Sequence, residues 1–517
     1  MAQGRRLIRN TIILGGWTLL SRGSGLARDV LMAGYLGTGA AADAFNVAFS
    51  LPNMFRRFFA EGAFNQAFVP MYAKKVEGGP DTGDDAARFA SDAFSGLSFV
   101  LLIVTLIGTL AMPWLVWAMA AGFVGDARFD LAVSFGRITF VYILFISLVA
   151  LLSGVMNAHG RFSEAGFVPI LMNLIFIAAI GLAVWLGWDL GQTLAWTVPV
   201  TGVAQLAFTW AAAHRIGFRA RLHWPRWTLD LKHLLIIAGP AVLAGGVVQI
   251  NLLVGRQVAS FTEGAISWLV YADRLYQLPL GVVGIAVGTV LLPDLARRLR
   301  AIDEAGAQSS LNRSLEFALA LTLPAAVALV VIAHALTFVL YQRGAFGPED
   351  TAATALALAI YGAGLPAFVL QKVWQPLYYA REDTRRPFQF AVLAMVVNAA
   401  LAVGLMPYIG FAAAAVATTL AAWIMLAQLI WGARGMGSAV QLDARSRQRL
   451  PRIIAAAAIM GAVLYGVAFA IAPWLYHMGW RYIALAGLIA AGVIAYFGSG
   501  AALGAFKLSD FRALKRG

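Results

Sequence analysis

The chain has 517 residues, of which 61% are hydrophobic and only 12% charged, with a formal net charge of +14. Soluble globular chains carry about 25% charged residues, so this composition is that of an integral membrane protein. Cysteine is absent, which excludes disulfides, thiol catalysis and cysteine-ligated zinc, and no Gly-Lys dipeptide occurs, which excludes a Walker A ATPase.

Apolar runs broken by glycine, proline and charge are expected to form about fourteen transmembrane helices of about 20 residues each. The ten-residue alternation of a β-barrel is missing. Arg5, Arg6 and Arg9 precede the first run as in a signal peptide, but no small-x-small cleavage site follows, so an uncleaved first helix is expected. That span, 10–35, carries Arg22, Arg28 and Asp29. Arg22 and Asp29 share a helical face, and Arg28 points about a third of a turn away. Gly23 and Gly25 permit a bent or unwound stretch lining a cavity, whereas an Arg–Asp pair that merely fixes helix packing is the plainer alternative.

The second span, 41–73, holds Asp43, Pro52, Asn53, Arg56, Arg57, Glu61 and Pro70. It is too long for one straight crossing, and the prolines are expected to kink it. Glu61 lies four residues after Arg57 and can neutralise it, which leaves Arg56 the freer cation. Each arginine held at mid-bilayer costs about 2.5–3.5 kcal/mol, so these four cost roughly 10–14 kcal/mol. Such a penalty implies that they face water, a counter-charge or an anionic substrate.

Spans 89–120, 130–157, 165–187 and 192–213 follow, the second of them with an isolated Arg137. The seventh span, 233–259, carries Arg256, and the eighth, 263–296, carries Asp273 beside Arg274. Neighbours on a helix diverge by about 100°, so Asp273 and Arg274 are expected to meet different partners. Spans 314–340, 350–377, 387–407, 410–432, 453–473 and 482–505 complete the set, with Lys372 in the tenth either lining the cavity or snorkelling to the headgroups. The six histidines lie mostly near span ends and show no metal-ligand spacing.

With the N-terminus inside, the inner connections and tails carry 28 Lys and Arg and the outer ones carry three, Arg128, Arg343 and Arg481. This positive-inside asymmetry puts both termini in the cytoplasm and accounts for the basic charge without nucleic acid. Ile12-Ile13-Leu14-Gly15-Gly16 recurs as Ile236-Ile237-Ala238-Gly239-Pro240, and Phe68-Val69-Pro70 recurs as Leu291-Leu292-Pro293, at offsets of 224 and 223. The repeat unit holds six spans and is therefore parallel, which predicts an all-α polytopic fold of two six-helix lobes around a central cationic cavity plus a C-terminal helix pair. The expected divisions are 1–225, 226–446 and 447–517.

Several guanidiniums converging on one cavity suit a diphosphate or carboxylate, because arginine offers a planar fork for oxygen pairs. No hydrolytic pair, activated nucleophile or acidic metal motif accompanies them, so an enzyme is not expected. The motifs Ser21-Arg22 to Arg28-Asp29, Ala42-Asp43-Ala44-Phe45, Leu51-Pro52-Asn53 through Arg56-Arg57 to Ala60-Glu61-Gly62, Tyr271-Ala272-Asp273-Arg274-Leu275 and Gly284 to Leu292-Pro293 resemble those of the MurJ (MviN) lipid II flippases. These belong to the multidrug/oligosaccharidyl-lipid/polysaccharide exporter superfamily.

The resemblance covers essentially the whole chain and implies a terminal helix pair that forms a groove for a polyprenyl tail. Substrate-binding arginines carry over to Arg22, Arg28, Arg56 and Arg274, with Asp43 and Glu61 also at motif positions. Asp29, Arg57, Asp273, Arg256 and Lys372 are expected to support or gate the cavity, although Arg256 matches no family motif. The expectation is a monomeric flippase in the bacterial cytoplasmic membrane that carries undecaprenyl-diphosphate-linked peptidoglycan precursor outward. Its expected partners are that precursor, membrane lipids and the cell-wall synthesis machinery, with no nucleic acid and no cofactor; the motifs assign no coupling ion. An exporter of another polyprenyl-linked glycan, or a non-transporting scaffold for cell-wall enzymes, are the alternatives.

Overall fold

The computed structural model describes the chain apart from Met1, 57–62, 78–82, 219–221, 302 and 507–517. At 2–14, 63–66, 77, 83–84, 238–248, 250–252, 282–290 and 292–293 it describes the backbone alone. Two compact units are present, residues 1–267 and 268–517. The first contains α1 (Ala2–Leu36), α2 (Ala40–Arg56), α3 (Ala63–Glu77), α4 (Gly83–Leu110), α5 (Met112–Met119), α6 (Ala127–Thr139), α7 (Tyr142–Ala158), α8 (Phe162–Leu186), α9 (Leu190–Arg215) and α10 (Leu229–Ser260). Next comes α11 (Ala265–Arg300), which runs on into the second unit. That unit continues with α12 (Glu304–Val331), α13 (Ala333–Tyr341), α14 (Pro348–Tyr379), α15 (Arg385–Ile409), α16 (Ala412–Gly432), α17 (Ala444–Ala470), α18 (Ala472–Leu475) and α19 (Arg481–Ala502).

Helix bounds recur along the chain. The break between α4 and α5 at Ala111 returns 221 residues later as the break between α12 and α13 at Ile332. Likewise α8 starts at Phe162 and ends at Leu186, and α15 starts and ends 223 residues further on. Capping chemistry recurs too. Asp126 caps α6 by accepting from Arg128 N, and Asp350, 224 residues later, accepts from Gly347 N at the start of α14. The similarity glimpsed in two short sequence matches thus extends to where helices begin, break and end.

Among the described residues, nine helical segments have the length and hydropathy to cross a membrane. They include α4, the α6–α7 segment Ala127–Ala158, α8, α12, α14, α15, α16 and α19. The first, second, seventh and eighth expected spans correspond to α1, α2 with α3, α10 and α11, whose side chains are described only in part. The sixth is α9, whose hydropathy is lowered by polar residues inside the bundle. Gln205 Nε2 donates to Val168 O at 2.8 Å and its Oε1 lies 3.0 Å from Tyr142 Oη, so this buried amide joins α7, α8 and α9. A polar group costs little inside a bundle when its hydrogen bonds are made there.

Packing within the first unit centres on aromatic contacts. Phe45 and Phe49 stack at 5.7 Å, one helical turn apart on α2, and Phe176 of α8 lies 5.9 Å from Phe49. At one end of this unit the tip of α10 is clasped by the turn at 120–123. Gln257 accepts from Ala121 N at 2.9 Å and donates to Trp117 O at 2.9 Å, while Gly122 N donates to Ser260 Oγ at 2.9 Å. A Cβ at Gly122 would fall 2.6 Å from both Phe261 N and Ser260 C, backbone atoms with little room to yield. Gly122→Ala is therefore expected to destabilise the protein by about 2 kcal/mol, as overpacking does, read as a lowered thermal midpoint in detergent.

In the second unit, α17 and α19 dock on α12 and α13 through Ile332, Val339, Ala456, Met460, Leu464 and Leu488, all buried. A charge cluster on α12 pins the same docking. Glu316, 6% exposed, lies 2.6 Å from Arg313, 3.3 Å from Arg445 and 3.6 Å from Arg449, and accepts from Ser446 Oγ at 2.7 Å. Asp443 caps α17 by accepting from Ser446 N at 2.7 Å and also pairs with Arg313. Three nearby cations thus offset the cost of burying the Glu316 carboxylate, with Arg313 shared by Asp443.

Candidate functional site

The first helix places the arginines. α1 stays helical through Gly23 and Gly25, where an unwound stretch was one expectation. Asn173 of α8 explains how it is held. Its Nδ2 donates to Ser21 O at 3.1 Å and to Ser24 Oγ at 3.0 Å, and a Cβ at Gly25 would sit 3.5 Å from it. The amide thus reaches the α1 backbone beside Arg22, and a methyl at position 25 would make only ordinary van der Waals contact with it. Asn173→Ala removes both bonds and is expected to cost about 1–3 kcal/mol, read as a lowered thermal midpoint in detergent.

Arg28 is 4% exposed, and its Nε and Nη2 both donate to Asp29 Oδ1, at 3.0 and 2.7 Å. Its guanidinium carbon lies 5.5 Å from the Phe176 ring centroid. Although neighbours diverge on a helix, the flexible arginine stem reaches back to the adjacent carboxylate. An ion pair on α1 therefore joins Arg28 to Asp29, and it neutralises one of the charges that made this helix costly. Both committed donors lie on one edge of the guanidinium. Among the described residues Nη1 has no hydrogen-bond partner, so a donor edge remains for an incoming oxygen. Arg22 and Arg56 are half-buried on α1 and at the end of α2. Arg57 and Glu61 lie outside the described residues.

Asp43 is fully buried at the start of α2, where three turns of the first unit meet. Its Oδ2 accepts from Gly264 N at 2.8 Å, and its Oδ1 accepts from Ser267 N at 3.0 Å and Ser267 Oγ at 2.7 Å. The carboxylate therefore caps the N-terminus of α11 from another helix, satisfying amides that the helix itself leaves unpaired. Gly264 adopts a φ of +81°, which a side chain would resist. Asn46 Nδ2 adds a bond to Ser267 Oγ at 3.0 Å.

Arg128 Nη1 stands 3.7 Å from Asp43 Oδ2 and donates to Ser260 O at 3.2 Å, and its Nε donates to Asp126 at 2.6 Å. The backbone N–H and then the guanidinium of Arg128 hold the Asp126 carboxyl below its ordinary value. Asp43 and Ser267 are 224 residues apart, the spacing of the repeat, so equivalent positions of the two copies bond to each other.

Arg256 is half-buried on α10, one residue before Gln257 of the clasp. In the second unit, Asp273 and Arg274 are half-buried on α11, with Gln277 donating to Asp273 one turn on. Lys372 is exposed on α14, next to buried Gln371, which donates to Ala422 O at 2.8 Å. Among the described residues no cluster of His, Asp and Glu is arranged to hold a metal ion.

Sequence reasoning missed Asn173, Gln257 and Ser267, and treated Arg128 only as an outer-loop charge. The one available signal was the position of Ser267 in the repeat, opposite Asp43.

A family model described as lipid II flippase MurJ matches residues 32–485. A probable lipid II flippase MurJ of Rhizobium meliloti is 45% identical over 528 residues, covering 99% of this chain and 97% of that protein. A lipid II flippase MurJ of Burkholderia cenocepacia is 36% identical over 446 residues, covering 83% and 84% respectively. A solved structure titled as a lipid II flippase MurJ in an inward closed conformation is similar with a TM-score of 0.78, at 26% identity, covering 95% of this chain and 98% of that one. An inward-facing multidrug resistance MATE family transporter of the MOP superfamily shares the fold, with a TM-score of 0.67 at 12% identity, covering 80% and 94%.

Proposed function

Because the chain belongs to the MurJ family of lipid II flippases, we propose that it moves lipid II across the bacterial cytoplasmic membrane, from the inner to the outer leaflet, by alternating access. It acts as a transporter and not as an enzyme. The observation that carries this reading is Arg28: it is buried on a membrane helix, held on one edge by Asp29, and its Nη1 has no hydrogen-bond partner among the described residues. A guanidinium so held is oriented before its ligand arrives and keeps donors for a phosphate oxygen.

Arg22, Arg56 and Arg274 are proposed to share the diphosphate with Arg28. Asp29 supports Arg28, Asp43 gates by holding the start of α11, and Arg57, Glu61, Asp273, Arg256 and Lys372 brace the cavity. The lobes follow the repeat, at 1–225 and 226–446, with 447–517 as the terminal pair, and the recurring helix bounds support that division. Charge asymmetry in the connections supports cytoplasmic termini. The protein works as a monomer, with the cell-wall synthesis machinery as its partner.

Membrane potential supplies the direction in this reading. One elementary charge crossing 100 mV is worth about 2.3 kcal/mol, so a headgroup with two negative charges gains roughly 5 kcal/mol on moving outward. The test is complementation of a flippase-depleted strain by proteins with Arg22, Arg28 or Arg274 changed to alanine. Each is expected to insert normally and fail to restore growth. Growth with all three single variants would contradict the assignment.

A further inference from the structure

Two arginines gather at one end of the second unit without an acid beside them. Arg343 follows α13, and its Nη2 donates to Val339 O at 3.0 Å and to Leu340 O. Arg481 opens α19; its Nη1 donates to Gln342 O at 2.9 Å and its Nη2 to Tyr482 Oη at 3.1 Å. The two guanidinium carbons lie 6.0 and 5.0 Å from the centroid of the same Tyr482 ring. Among the described residues neither forms an ion pair, in contrast to Arg128, which meets Asp126 and Asp43.

Capping the carbonyls at the end of α13 accounts for one cation, since the C-terminus of a helix attracts positive charge. It does not account for two. Arg481 is 94% buried, being 6% exposed, and its Nε has no partner; the Nε of Arg343 is buried and unpartnered as well. Buried donors are ordinarily satisfied, so two Nε–H groups without acceptors, on guanidiniums that flank one ring, mark a place for acceptor oxygens.

The surroundings indicate what brings those oxygens. Trp474, Tyr476, Met478, Trp480 and Tyr482 are between 42% and 61% exposed along this turn. Trp and Tyr collect where a membrane protein meets the lipid headgroups. The acceptor must therefore be an anion found at headgroup level. We propose that Arg343, Arg481 and Tyr482 form a site for the phosphodiester of an anionic phospholipid, in the leaflet that borders the α18–α19 turn. The site uses none of the residues assigned to the transported headgroup.

The experiment takes the full chain in detergent and counts retained lipid by native mass spectrometry, with phosphatidylglycerol, phosphatidylcholine and inorganic phosphate as probes. Wild type should retain one phosphatidylglycerol that the Arg343→Gln/Arg481→Gln protein binds roughly tenfold more weakly, as expected for two arginines at a membrane surface. Phosphatidylcholine should not distinguish the two proteins. Equal retention of phosphatidylglycerol by both would overturn the site. Displacement of that lipid by millimolar inorganic phosphate would overturn the lipid assignment in favour of a free anion. A second arm needs no variant: phosphatidylglycerol, but not phosphatidylcholine, should slow amide hydrogen exchange over 474–483 in wild type, and equal exchange in both lipids would count against the proposal.

Discussion

Arg28→Ala is expected to abolish transport and to lower stability by about 3–5 kcal/mol, because it breaks a buried ion pair by removing the guanidinium bonded to Asp29. The two effects separate in a second variant. Arg28→Ala combined with Asp29→Asn removes both charges of the pair, so most of the stability should return while transport stays lost. Arg28→Lys keeps the charge but offers a point donor in place of a fork, and is expected to retain partial transport. Thermal denaturation in detergent reads the first effect and complementation reads the second. If the double variant regained both stability and transport, Arg28 would be only a packing residue, with its pairing to Asp29 at 2.7 Å its whole purpose.

The second large effect is expected at Asp43. Asp43→Ala deletes three accepted hydrogen bonds at the start of α11 and removes a carboxylate 3.7 Å from Arg128. Loss of a helix cap costs about 0.5–2 kcal/mol, and leaving buried amides unpaired raises the total to about 3–5 kcal/mol. Arg128 keeps Asp126 and the Ser260 carbonyl, which limits the damage. Asp43→Asn preserves the shape but has a single acceptor oxygen, so about half of that loss is expected. Ser267→Ala removes one bond and should cost about 1 kcal/mol. In a double-mutant cycle, Asp43→Ala and Ser267→Ala should be clearly non-additive; additivity would mean that the bond between these two repeat positions contributes nothing.

Much of the fold was legible because membrane helices write their hydropathy and their breaks into the chain. Among the described residues the expected spans fall on helical segments, nine of them long and apolar enough to cross a membrane, and the offset read from Phe68 and Leu291 reappears in the bounds of α8 and α15. What periodicity cannot convey is the choice of partner across long separations. Nothing local to Asp43 points to Gly264 and Ser267, and nothing in α8 singles out Asn173 as the clamp on Ser21 and Ser24. Face arithmetic was also too rigid for long side chains: it set Arg28 apart from its neighbour Asp29, yet the arginine stem bends far enough to pair with it. Arg128 illustrates the limit from the other side. As an outer-loop cation it looked like topology alone, and only packing shows it joining Asp43, Asp126 and the end of α10.

The central claim is that a buried, half-committed guanidinium on α1 carries the anionic headgroup of a lipid across the membrane. The most direct measurement is leaflet accessibility of the lipid-linked precursor in sealed vesicles that contain either wild type or Arg28→Ala, with and without a membrane potential. Wild type should expose precursor on the outer-equivalent face, faster when the potential is inside-negative, and Arg28→Ala should match protein-free vesicles. Equal exposure by wild type and Arg28→Ala would contradict the account.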